Sequence, residues 1–306
     1  MRPRLTIAIP THNRAATLRA TLESVVALEL GEALDVDCLV VDNNSTDDTP
    51  SIVEQIAASA PIPVRRVCEA RQGSSFARNR AINEARGDWL FFLDDDVVAE
   101  RAWARELHAE LERRKLDAAC GAVLPRWSVP PPPWLGPRLF SKLAVHDERA
   151  LNDAHGRADS SGHRMEALEY YFSANVGFRC DAFERFGRFR EDLGVVGGNP
   201  VSGEDTELFA RIIARGGAVG FAPRARVYHL IGTERMTPAY LRRKSFAYGV
   251  GSAYAGGRTH NHLDKLVRNA WRMVLAAARG DREGVIYHQM ECMNFLGYWR
   301  ARLSQR

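Results

Sequence analysis

No apolar run in the 306-residue chain is long enough to span a bilayer. The stretch Leu5–Pro10 is too short for a secretory segment and runs straight into THNR, so none is expected. Cysteine is sparse. Cys38, Cys68, Cys120, Cys180 and Cys292 are far apart and odd in number, with no metal-ligand or redox spacing, which fits a reducing cytosol. Cys38, Cys68 and Cys120 lie in apolar, strand-like runs and read as small core residues. Charge of one sign barely dominates: the net charge is +4, and aromatics do not interleave with a basic strand face, so nucleic-acid binding has little support. The excess is uneven, because the tail from Arg235 is rich in arginine and poor in acid and would suit an anionic membrane surface. No internal repeat is present. With 45% apolar and 26% charged residues, the length allows one large domain, or one domain plus an extension.

The first half alternates strand and helix patterns. LTIAIP from Leu5, DCLVVD ending at Asp42, PVRRVC ending at Cys68, Trp89–Asp94 and Ala118–Leu124 read as strands. Helical spacing fills the gaps at Thr17–Leu28, Thr49–Ala58, Ser74–Ala85 and Glu100–Arg114. Such alternation predicts an α/β fold whose mostly parallel sheet is covered on both faces, with ligands beyond the carboxyl ends of the strands. Pro10-Thr11, Asp42 and Asp94 all stand at such ends. From Pro125 the run PRWSVPPPPWLGPRL predicts irregular structure, because successive prolines lack donors and fix φ; a long loop to about Glu166 is expected. Tyr170–Phe178 reads as a strand, Thr206–Arg215 as a helix, Ala218–His229 as short strands, and the chain from Pro238 as helical. LVRNAWRMVLAAAR from Leu266 is amphipathic and basic, and reads first as a helix packed on the main domain.

The string FFLDDDVV carries the chemistry. Alternate residues of an extended chain point the same way, so Asp94 and Asp96 can converge while Asp95 points elsewhere. Two convergent carboxylates repel unless a cation sits between them, and hard oxygen ligands suit Mg²⁺ or Mn²⁺, ions that usually hold a phosphate.

IPTHNR at Ile9, VVDNNSTDDT at Val40, GSSFARNRAI at Gly73, FLDDDVV at Phe92, SANVGFRCDAFERFGRF at Ser173 and GEDTELFARI at Gly203 occur in order. Together they resemble the family 2 glycosyltransferases over roughly Leu5 to His229. The resemblance implies the GT-A fold, a Rossmann-like mixed sheet flanked by helices, here with a helical C-terminal extension. It implies transfer of a sugar from a nucleotide-diphospho-sugar, most simply a UDP-sugar, to an acceptor hydroxyl with inversion, in cell-surface polysaccharide or glycoconjugate synthesis. The implied donor-side residues are Pro10, Thr11, Asn13, Asp42, Asn44, Arg78, Asp94 and Asp95. Asp47 in the same turn reads equally well as a helix cap, and Asn79 as a loop brace. The implied metal set is Asp94 and Asp96 of the DxD element with His229, for Mn²⁺ or Mg²⁺. Asp205, with Glu204 beside it, is the implied catalytic base. Asn175 and Trp134 fall on the implied acceptor side, where Trp127 joins them in the proline-rich stretch.

Residues 1–235 are thus expected to form the nucleotide-sugar-binding and catalytic domain, with 125–166 a flexible acceptor-side loop that matches nothing in the family pattern. Residues 236–306 are expected to form the helical extension. The acceptor would be a glycan, a lipid-linked glycan or a small molecule, and the expected location is cytoplasmic, peripheral at the inner membrane face. Three rival readings exist. A catalytically weak nucleotide-sugar-binding subunit should have lost the metal pair or the base. DDDVV also fits the nucleophile pattern of haloacid-dehalogenase-like phosphatases, but three strands precede it where that fold wants it early. A sugar-nucleotide pyrophosphorylase would want a Gly-rich, Lys-bearing loop where THNRAATL stands.

Overall fold

The computed structural model describes residues 2–31, 34–147, 151, 171–194, 203–255 and 263–304. Tyr170, most of the expected loop between 148 and 166, and residues 256–262 of the tail lie outside the described residues.

Eight strands form one sheet: β1 (Arg4–Thr11), β2 (Asp35–Asp42), β3 (Val64–Cys68), β4 (Trp89–Leu93), β5 (Val97–Ala99), β6 (Ala118–Trp127), β7 (Asn175–Arg179) and β8 (Val219–Ile231), in the order β3-β2-β1-β4-β7-β6-β8-β5. The helices are α1 (Ala15–Val26), α2 (Thr49–Ala57), α3 (Ser74–Glu84), α4 (Trp103–Arg114), α5 (Asp181–Phe186), α6 (Glu204–Ala214), α7 (Pro238–Tyr254), α8 (Leu263–Ala278) and α9 (Arg282–Ser304), with a 3-10 turn at Pro137–Leu143. β1 to β4 are parallel, as the alternation predicts, whereas β7 runs antiparallel between β4 and β6, and β5 pairs antiparallel with β8. The sheet is therefore mixed.

Parallel strands buried on both faces need continuous apolar runs, and β4 supplies one: all five residues of WLFFL are buried. Its core continues through a cluster of rings in which Phe178 stacks on Phe209 at 5.8 Å and meets Phe92 edge-on at 6.1 Å. α4 shows how the covering helices are specified. Trp103, Leu107 and Leu111 form its buried stripe, Glu106 lies in the first turn and Arg113 and Arg114 in the last, as the helix dipole favours, and left-handed Lys115 ends it.

Several local expectations differ from the structure. β6 runs through Pro125 to Trp127, because its ladder with β7 involves only Ala118–Cys120 and Pro125 lies beyond it. Pro137–Leu143 is a 3-10 turn rather than irregular, and Ala218–His229 belongs to one 13-residue strand. Cys68 is exposed, not a core residue, because β3 is an edge strand; Cys38 and Cys120 are buried, and burial pushes the Cys38 thiol up to about 12.

The chain divides into two compact units. Residues 1–126, 145–189 and 205–230 hold nearly all of the sheet. Residues 127–144, 190–204 and 231–306 hold the C-terminal helices, where Leu193, Val250, Ala253 and Ala301 make a small core. No described helix is long and apolar enough to cross a membrane.

Candidate active site

The site grows from strand register. Thr11 pairs with Asp42 and Asp42 with Cys68, so β1, β2 and β3 end flush. Ala8 pairs with Phe92 on β4, which brings the acidic triplet to the same rim. The loops leaving this rim are stitched by buried Asn43. Its side-chain amide donates to the carbonyls of Glu69 (2.9 Å) and Arg71 (2.7 Å), and its Oδ1 accepts from Gly73 N–H (2.7 Å). The sequence reading passed over Asn43, although an amide just past a buried strand end is the available signal. Asn13 and Asn44 both take left-handed backbone, at φ 53° and 66°, a conformation asparagine tolerates better than most residues. Asn13 Oδ1 accepts from Thr46 N–H at 2.7 Å.

Asp42 is buried, accepting from Ser45 N–H at 2.9 Å and from Arg66 at 3.0 Å. Asp47 joins helix starts: it accepts from Ala15 N–H (3.0 Å) and from Thr49 N–H (3.1 Å) and Oγ1 (2.6 Å). Burial works against its charge, but these hydrogen bonds hold it below the ordinary carboxylate range. That is the capping role its position also allowed. Pro10 lies one residue before the end of β1.

At the triplet the structure corrects the alternation argument. β4 stops at Leu93, and Asp94, Asp95 and Asp96 lie in the turn before β5, so each carboxylate takes its own direction. Asp94 accepts from Arg78 at 3.3 Å. Asp95 accepts from Thr11 Oγ1 at 2.7 Å. Asp96 lies 3.3 Å from His229 Nε2 and 3.4 Å from Arg14. His229 reaches Asp96 because β5 and β8 are in register, with Val97 opposite His229. Loss of water raises Asp94 above its usual pKa; Arg78 and His229 oppose the shift, and Asp96 and Asp205 add to it. Burial, reinforced by Asp96, pushes Asp95 up to about 7. The carboxylates of the turn are thus desolvated and crowded beyond what Arg78 and Arg14 offset.

Among the described residues no three acidic, histidine or cysteine side chains already form a metal cage. Mg²⁺ and Mn²⁺ seldom need one, since such ions are commonly held by one or two carboxylates together with substrate phosphate. Asp96 Oδ1 and His229 Nε2 stand 3.3 Å apart, close enough that both would reach a single divalent ion. The carboxylates of the turn together with His229 of β8 are a donor set that fits a divalent cation.

A polar chain links this turn to the start of α6. Buried Arg78 also donates to Ser173 Oγ (3.1 Å), and Ser173 N–H donates to Asp205 Oδ2 (3.3 Å). Asp205 Oδ1 accepts from Thr206 N–H at 2.7 Å. Ser173 opens the string SANVGFRCDAFERFGRF, in which only Asn175 carries an expected role. Asn79 is a brace: its side chain makes paired bonds with the backbone of Phe189, at 2.9 and 3.1 Å. Asn175 does not take the acceptor-side place expected of it. It is fully buried, accepting from Trp103 Nε1 (2.7 Å) and donating to the carbonyls of Ala122 (3.0 Å) and Ala225 (2.8 Å). It ties β7 to neighbouring strands, and Gly121 leaves it room: a Cβ there would lie 2.3 Å from both Asn175 Nδ2 and Ala225 O. Glu204 and Trp134 belong to the other unit. Glu204 is buried and accepts from Gly203 N–H at 3.1 Å; Trp134 is half-buried in a turn; Trp127 packs on Phe140 at 5.7 Å, anchoring its loop.

Known proteins resemble this chain in sequence or in structure. The succinoglycan biosynthesis protein ExoM of Rhizobium meliloti is 27% identical over 279 residues, covering 89% of this chain and 80% of that protein. Three further glycosyltransferases are matched over only 20–30% of their own length. Among solved structures, the mannosyltransferase PcManGT from Pyrobaculum calidifontis in complex with GDP-Man and Mn²⁺ superposes with a TM-score of 0.69 at 18% identity, covering 100% of this chain and 89% of that one. TarS of S. aureus in complex with UDP-GlcNAc gives a TM-score of 0.53 at 15% identity, covering 100% and 92%. These likenesses establish the GT-A fold. Residues 6–185 match the description "Glycosyl transferase family 2", more than half of the chain. The chain belongs to glycosyl transferase family 2.

Proposed function

We propose that this glycosyltransferase moves a sugar from a nucleotide-diphospho-sugar, in the first instance a UDP-sugar, to an acceptor hydroxyl with inversion at the anomeric carbon. The observation that carries the reading is the continuous polar path from the acidic turn to α6: Asp94 to Arg78, Arg78 to Ser173, Ser173 to Asp205. It joins a place for a charged leaving group to a place for a base.

Thr11, Asn13, Asp42 and Asn44, with Pro10, wall the base and ribose. Asp94, Asp96 and His229 would hold Mn²⁺ or Mg²⁺; when bound, the ion neutralises the charge that grows on the departing diphosphate. Arg78 adds a fixed positive charge on the same side, and Asp95, held by Thr11, stiffens the turn. Asp205 takes the proton of the acceptor hydroxyl as the new bond forms. The N–H groups of Ser173 and Thr206, one on each oxygen, orient its carboxylate. A single inverting displacement needs no enzyme nucleophile. A binding-only subunit would leave this base without a role. The acceptor class is suggested by ExoM, whose name assigns it to succinoglycan biosynthesis; a growing polysaccharide or glycoconjugate fits.

The test is Asp205→Asn. Donor binding, read as a thermal shift with nucleotide-sugar and Mn²⁺, should persist, while turnover falls roughly 10²–10⁴-fold. Full rate in this variant overturns the base assignment. The same assay run with UDP- and GDP-sugars identifies the nucleotide, because the better ligand gives the larger shift.

A further inference from the structure

Helix α8 turns four of its large apolar side chains outward, while Leu266, Met273 and Leu275 are half-buried. Leu263 is 67% exposed, Val267 62%, Trp271 61% and Val274 54%, whereas the residues it buries are Asn269 and Ala276. Its inward side includes polar contacts to α9. Asn269 Oδ1 lies 2.9 Å from His288 Nδ1 on α9, and Lys265 meets Glu291 at 3.3 Å. A helix covering a globular core does the reverse.

At 3.6 residues per turn the outward surface divides into sectors. Leu263, Val267, Trp271 and Val274 fall within an arc of about 80° and extend roughly 17 Å along the helix. Arg268, Arg272 and the following Arg279 fall together on one flank of that arc, all exposed; Arg268 pairs with Asp264, so the flank carries a net charge of two. A second apolar row on α9, Leu296 (48% exposed), Trp299 (41%) and Leu303 (65%), is accompanied by Arg300 and Arg302.

We infer that α8 lies on an anionic lipid surface, with Leu263, Val267, Trp271 and Val274 inserted among the acyl chains and Arg268, Arg272 and Arg279 at the headgroup phosphates. Charge selects this occupant. A row of arginines beside an apolar arc matches a surface that is greasy and negative at once. An antiparallel second copy would instead set Arg268 and Arg272 against their own counterparts, a like-charge juxtaposition that disfavours pairing. The tryptophan suits the water–lipid boundary, where its ring and N–H are accommodated together. This inference stands apart from the donor and base assignments.

The full chain should float with vesicles of phosphatidylcholine mixed with phosphatidylglycerol, at least ~10-fold more than with phosphatidylcholine alone, and added salt should release it. Because the stripe is exposed, Val267→Ser with Trp271→Ser should leave the melting temperature unchanged and cut flotation by ~10-fold or more. Arg268→Gln with Arg272→Gln should weaken binding by roughly five-fold per arginine, mainly on the anionic vesicles. Brominated lipid should quench a tryptophan signal in the wild type, and Trp271→Phe should lose most of that quenching while still floating. Absence of flotation on anionic vesicles overturns the inference, as does equal flotation of the Val267/Trp271 variant. A concentration-dependent dimer in solution that Trp271→Ser dissociates also overturns it, in favour of a second copy.

Discussion

The sheet rim withdraws charge from water, while the α8–α9 hairpin presents apolar side chains to it. At the rim, Asp42, Asp96, Arg78 and His229 are all buried within a network of other polar groups. On α8, Trp271 is 61% exposed and Asn269 is covered. Each arrangement runs against the usual partition of polar and apolar groups, and each is confined to a few residues on an otherwise ordinary scaffold. The rim accumulates negative charge and so calls for a cation and an anionic ligand. The hairpin accumulates exposed apolar surface and so calls for a surface to cover it. A local departure from good folding economy points to the chemistry of whatever completes it.

The widest gap between the regions should appear with Asp96→Ala. Turnover should fall by roughly 10³-fold, about 4 kcal/mol of barrier, with the metal-dependent thermal shift lost. A rate above half of wild type would show that the buried charge at the rim serves the fold instead. Asn175→Ala is the converse. It strands Trp103 Nε1 and the carbonyls of Ala122 and Ala225 inside the sheet, and should cost about 3 kcal/mol, measured as a fall in melting temperature. A silent substitution would mean that the sheet centre does not depend on this amide.

The smallest effect belongs to Glu291 in the helical unit. Burial opposes its charge, but Lys142 at 3.0 Å and Lys265 at 3.3 Å hold it below the ordinary glutamate value of 4.5. Its folded pKa is depressed, so its contribution is present above pH about 4.5 and is lost as pH falls through the lower, folded value. Glu291→Gln should cost about 2 kcal/mol near neutrality, and the gap in melting temperature should close in acid. A gap independent of pH would exclude the ion pairs as its source.

Much of the rim was legible because parallel strands need long apolar runs and their ends carry polar residues. Thr11 and Asp42 end their strands where the pattern puts them, and Asp94 follows directly on the last residue of β4. His229 enters only through the family resemblance, and the register of β5 with β8 accounts for its approach to Asp96. Other features were not legible, for reasons that lie in tertiary structure. β5 has 3 residues and β7 has 5, too few for a period to emerge, and both owe their place to partners distant in sequence. The direction of each aspartate depended on whether the strand ended at Leu93 or ran on. The polarity of α8 was visible as a pattern, but which side faces inward is decided by Lys265, Asn269 and their partners on α9. Asn175 shows that an amide inside a family motif can belong to the scaffold beneath the site.

The left-handed turns at Asn13 and Asn44 bear on how this protein can be diversified. Randomised libraries at either position would collapse toward asparagine, aspartate and glycine, since β-branched side chains clash with a positive φ. Glycine would be the easier substitute at Asn44. At Asn13 it would leave Thr46 N–H without its acceptor. The walls of the rim can therefore be redecorated at neighbouring positions, while these two asparagines hold its outline.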